Sequence, residues 1–201
     1  MSISSYADLQ TSVASWLHRS DLTSIIVDLI MLGEKRIQRE VRTADMETPH
    51  ILAISAGVLT VPPEFLGWKN VYVDRTPVQP LQVKPLDWIY LNYPVRSSTG
   101  IPQFIAMNGT SFEFGPYPDS NYTIKGTYFA RLTSVATTWN GLATDSPDLY
   151  LFAALAESKP FLLDDQRIPI WEAKYAAIRD AINSENEVSN FAGSPLAVTV
   201  A

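Results

Sequence analysis

The chain has 201 residues, 46% hydrophobic and 18% charged, with a formal net charge of −6 and no cysteine. That length suits one domain or two small ones, and so sparse a charge complement means that part of the surface is polar-neutral or covered by partners. The lack of cysteine excludes disulfides, thiolate metal sites and thiolate nucleophiles; with no apolar run near the ~20 residues that span a bilayer and no secretory signal pattern, a soluble protein is expected.

At the N-terminal end, Ser5 reads as an N-cap with Asp8 three residues on, and Tyr6, Leu9, Val13, Trp16 and Leu17 recur at helical spacing, which predicts a helix over 5–18. Leu22, Ile26, Leu29, Gly33, Ile37 and Val41 then repeat every three to four residues and predict a second helix of about 20 residues, roughly 30 Å long. Gly33 on that apolar stripe costs about 1 kcal/mol against alanine. A close helix crossing explains it.

From 46 to 132 the period changes to short runs punctuated by Pro and Gly, such as "HILAIS", "KNVYVD", "SFEFG" and "YTIKGTYFARL". These read as strands. Asn-Gly in "AMNGTSFEF" predicts a hairpin with a type I′ turn, and "SAGVLTVP" around Gly57 predicts another. "PLDWIYLNYP" predicts a helix of one or two turns, begun by Pro85 and stopped by Pro94. A polar loop is expected over 133–145. Ser146 as cap, Pro147 in the first helical position and Asp148 at the positive end of the dipole then start a third helix, which Pro160 kinks or ends. Its "LYLFAALA" run is apolar on nearly every side, as suits a helix wedged between others. A last helix over 168–187 places Trp171, Tyr175, Ile178 and Ile182 on one stripe. The final stretch, 188–201, carries no side-chain charge and ends in a β-prone run. It is read either as a disordered tail or as an arm that adds an extended segment to a neighbouring subunit.

No catalytic, metal or cofactor-binding constellation emerges. His18 and His50 have no second histidine at helical spacing, and no phosphate-binding glycine loop or nucleophile elbow occurs. Adjacent Asp164 and Asp165 are explained by helix capping and solvation. The aromatics of 46–132 are interleaved with only six basic residues, Lys69, Arg75, Lys84, Arg96, Lys125 and Arg131, which favours packing over nucleic-acid stacking.

One cluster is more specific. Lys35, Arg39 and Arg42 share a helix face with Arg36 beside them, while residues 145–187 hold nine acidic groups against Lys159, Arg167, Lys174 and Arg179. Cations at a helix C-terminus complement its dipole, and such faces are usually solvated. Pairing between subunits would use both charge sets.

The segments "YADLQTSVASWLHRSDLTSIIVDLIMLGEKRIQRE" and "PDLYLFAALAESKPFLLDDQRIPIWEAKYAAIRDAINSEN", with "VLTVPPEFLGWKNVYVD" and "YTIKGTYFARL" between them, resemble the head-to-tail adaptor (neck or tail-accessory) proteins of short-tailed bacteriophages. The resemblance covers nearly the whole chain and consists of packing residues. It implies a structural virion protein of the neck, assembled in the host cytoplasm, with a dozen copies forming a ring under the portal protein. That ring would join the portal to the tail nozzle protein and surround the channel through which genomic DNA passes without sequence-specific binding. Pro169 is unusual inside the last helix and fits only its first turn.

The expectation is therefore an α+β, non-enzymatic protein without cofactors. Residues 1–45 and 146–187 make an antiparallel helical bundle, 46–145 an inserted antiparallel β unit (a sandwich or partly open barrel), and 188–201 an extended arm. Interface candidates are Lys35, Arg36, Arg39 and Arg42, with Phe191, Pro195, Leu196, Val198 and Val200 in the arm. The rival reading is a carbohydrate- or receptor-binding β module of a phage tail presenting Trp68, Trp88, Tyr90 and Trp139. A glycan hydrolase stands third.

Overall fold

The computed structural model of the chain describes residues 3–18, 22–161 and 165–191, with the backbone alone at 23 and 189–191. The fold is α+β, and it divides into two compact units: Met1–Asp45 with Leu132–Ala201, and Met46–Arg131. Pro195, Leu196, Val198 and Val200 lie outside the described residues, as does Asp164.

The first unit is helical. α1 (Tyr6–Leu17) begins where the Ser5 side chain accepts from the Asp8 N–H, and it buries Leu9, Val13 and Leu17. α2 (Thr23–Glu40) buries the stripe from Ile26 through Leu29, Ile30 and Ile37. α4 (Gly141–Asp145) leads into α5 (Pro147–Ala156), which is buried from Leu149 to Ala156 and packs against α1, α2 and α6 (Ile168–Phe191). An all-apolar helix is tolerated in such a place because no face of it meets water. At Gly33 a Cβ would lie 3.0 Å from the Ala154 nitrogen and 3.1 Å from Ala153, so glycine is what lets α2 and α5 approach.

Several details differ from the expectations. Residues 132–145 belong to the helical unit, whereas the sequence reading gave them to the β unit. The segment is tied down by Gln38 donating to the Leu132 carbonyl, by the buried Glu34 carboxylate accepting from the Ser134 hydroxyl and the Val135 N–H, and by burial of Val135 and Leu142. Asn140 caps α4, a helix too short to announce itself by periodicity. Ser146 makes no side-chain cap to α5, which ends at Ala156, before Pro160. Asp165 opens α6 by accepting from the Arg167 N–H, Pro169 falls in the first turn, and the helix runs to Phe191. The first residues assigned to the arm are therefore helical.

The second unit holds β1 (Glu47–Ala53), β2 (Leu59–Thr60), β3 (Phe65–Val73), β4 (Gln79–Pro80), β5 (Gln82–Val83), α3 (Leu86–Asn92), β6 (Thr99–Gly100), β7 (Phe104–Asn108), β8 (Ser111–Gly115), β9 (Tyr117–Pro118) and β10 (Thr123–Ala130). Two four-stranded sheets, ordered β1-β10-β3-β4 and β2-β8-β7-β5, contribute Val71, Val73 and Ile124 from one side and Leu59, Ile105, Phe112 and Phe114 from the other to one core. Among the described residues no sheet closes into a barrel. The pairing is not wholly antiparallel, because β5 with β7 and β6 with β9 are parallel. The chain between β5 and β7 includes α3, the kind of crossover that parallel neighbours need.

The hairpin of β7 and β8 is present with its turn one residue later than expected. Asn108 pairs with Ser111, so Gly109 and Thr110 are the central residues, and only Gly109 has positive φ (59°), which marks a type II′ and not a type I′ turn. The two positive-φ residues of a type I′ turn occur instead at Ala56 (49°) and Gly57 (78°), between Ser55 and Val58.

His50 sits 4% exposed in this unit, its ring edge-on to Trp68 and Tyr128, and burial lowers its pKa. Because the folded value lies below that of the unfolded chain, the unfolded state takes up the proton first. Stability that is full above about pH 6.5 is lost as pH falls towards the folded value. Thermal melts should show Tm falling as pH drops below about 6.5, and His50→Phe should flatten that fall. An equal fall in the variant would assign it to other groups.

Candidate interaction surface

The basic cluster sits on the C-terminal half of α2, where each residue turns the next by about 100°. That rotation separates the four cations. Arg36 points into the unit, its side chain 19% exposed, and donates to both carboxylate oxygens of Glu172 at 3.2 and 2.8 Å and to Glu40 at 3.3 Å. Glu157 is 3.6 Å away, and the guanidinium lies 4.3 Å from the centre of the buried Tyr175 ring. The Glu172 hydrogen bonds raise its pKa further. Arg179 extends the network by donating to Glu40 at 3.0 Å. Burial pushes the Glu40 carboxyl up, but the hydrogen bond from Arg179 and the other contacts outweigh it and hold the group below its usual value. Burial and the Glu40 charge push the Tyr175 hydroxyl well up.

Arg42 is also engaged within the chain. Its guanidinium donates to the carbonyls of Gln38 and Val41 at 2.8 and 2.7 Å, closing the end of α2, while Asn183 of α6 bridges the Arg42 N–H and the Glu40 carbonyl. Lys35 and Arg39 are exposed and have no ion-pair or hydrogen-bond partner among the described residues. Two of the four cations therefore hold the helical unit together, and two face outward. The exposed side of α2 continues from them into Val27 (41% exposed), Met31 (49%) and Leu32 (43%).

The acidic residues of the last quarter divide in the same way. Glu157, Glu172 and Asp180 are paired with Arg36 or Arg179. Asp145 and Glu185, together with Asp45, rim a groove of about 450 Å³ whose apolar lining includes Leu142 and Ile182. These three carboxylates are exposed and have no ion-pair partner among the described residues.

Phe191 ends α6, and the other arm candidates fall outside the described residues. Of the aromatics in the rival reading, Trp68 is partly buried against the rings of His50, Phe65, Phe112 and Tyr128, and the Trp88 ring centre lies 4.6 Å from that of Phe104. Tyr90 donates to Glu113, and Trp139 lies in the helical unit against that unit's core. His18 closes α1 in the left-handed region, and no group of three or more His, Asp or Glu among the described residues could hold a metal ion. Glu34 was missed by the sequence reading. Its place four residues after Ile30 and three before Ile37, on the buried stripe, was the available signal.

No curated protein matches the chain. Residues 4–199 match the model of a protein family described as SU10 adaptor protein. That match spans the α-helical ends and the β unit alike, in agreement with the resemblance to phage head-to-tail adaptors, and the chain belongs to the SU10 adaptor protein family.

Proposed function

We propose that this phage structural adaptor works as a ring of a dozen copies beneath the portal protein, linking it to the tail nozzle and surrounding the DNA exit channel. The observation that carries the reading is the family match over nearly the whole chain. It is supported by an outward α2 face that combines large apolar side chains with two uncommitted cations, the composition of a surface meant for contact. In this reading the helices of both chain ends act as one bundle and the β unit is an insertion. Assembly takes place in the host cytoplasm before the protein enters the neck of the virion.

Lys35 and Arg39 serve protein contacts in preference to DNA. A passage for exiting DNA works against tight phosphate binding, and each phosphate contact adds affinity steeply at low salt. Adding the protein to portal rings of the same phage is expected to give a single faster-sedimenting species, with a fixed number of adaptor copies per portal. Independent sedimentation of the two components at low salt, where ionic contacts are least screened, would refute the reading.

A further inference from the structure

The helical unit carries two surfaces that complement each other and do not meet within one chain. The first is the exposed row of α2, in which Val27, Met31, Lys35 and Arg39 follow one another at four-residue intervals over roughly 18 Å, with Leu32 alongside. The second is the groove with Leu142 and Ile182 in its lining and Asp45, Asp145 and Glu185 on its rim. Cations of the row and carboxylates of the groove remain unpaired with each other among the described residues, whereas Arg36, next to Lys35 in sequence, and Arg179 of α6 pair with Glu40, Glu157 and Glu172.

We infer that the α2 row of one copy docks in the acidic groove of the next copy, its apolar residues covering the groove's apolar lining and Lys35 and Arg39 meeting Asp145 and Glu185. The occupant is a second copy of this chain because the row and the groove match in both charge and apolar content. The contact is heterologous, since two different patches of the same unit are used. Repeated contacts of that kind either close into a ring or run on as a filament. The inference rests on the ring reading and supplies its lateral interface.

Charge reversal with rescue tests it. Lys35→Glu with Arg39→Glu should weaken lateral assembly on portal rings at least roughly tenfold, because like charges facing each other cost several kcal/mol. Asp145→Lys with Glu185→Lys should do the same, and all four substitutions together should restore assembly to nearly the wild-type level. Circular dichroism of each variant should stay wild-type, since none of the four side chains has an ion-pair partner among the described residues. Wild-type assembly by either double variant, or a folded quadruple variant that stays unassembled, would overturn the docking while leaving the ring reading intact. Failure of the wild-type protein itself to assemble would overturn both.

Discussion

Replacing Gly33 with leucine is expected to lower the stability of the helical unit by roughly 3 kcal/mol, the upper end of what overpacking a close contact costs. The neighbours of the missing Cβ are the Ala154 nitrogen at 3.0 Å and the Ala153 carbonyl carbon and Cβ at 3.1 Å, mostly backbone of a helix that is itself buried on all sides. Such atoms have no rotamer with which to move aside, so α2 and α5 would have to separate along their length. Gly33→Ala sets two effects against each other: alanine gains about 1 kcal/mol in helix propensity, and the tight contact takes back at least that much. The alanine variant should therefore be slightly destabilised and the leucine variant severely so. Denaturant unfolding followed by helical circular dichroism reads both, and a leucine variant with a wild-type midpoint would show that the crossing is looser than described.

Arg36→Ala is expected to cost about 2 kcal/mol, between the 0–1 of a surface pair and the 3–5 of breaking a buried one. The side chain is 19% exposed, and its removal leaves Glu40, Glu157 and Glu172 facing one another without their shared cation and uncovers the Tyr175 ring. Lys35→Ala and Arg39→Ala should change stability by no more than about 0.5 kcal/mol, as is usual for unpaired surface positions. Adjacent residues of one cluster thus separate into opposite roles. Equal costs at positions 35 and 36 would contradict the division between internal and outward cations.

How much of this could be read from the sequence depends on how local the determining contacts are. The stripe from Leu22 to Val41 was legible because helical burial repeats every three to four residues, and the role of Gly33 was legible because a glycine on such a stripe needs a reason. Which of Lys35 and Arg36 points inward was not. The answer depends on Glu172 lying opposite, at a sequence separation that no periodicity reports. The placement of 132–145 was hidden for the same reason, since it hangs on Glu34 reaching Ser134 and Val135. Two-residue strands such as β5 and β6 are too short for alternation to show, and their parallel partners are reached only through crossovers. In the β7–β8 hairpin, Asn-Gly located the turn correctly but not its register. Pairing of Asn108 with Ser111 moved the central positions one residue on.

Electron microscopy of the protein mixed with portal rings from the same phage reads the proposed place between portal and tail most directly. A second ring stacked coaxially on the portal is expected, with its copy number countable in end views. Portal rings that remain bare at low salt, with adaptor folded and in excess, would contradict that place.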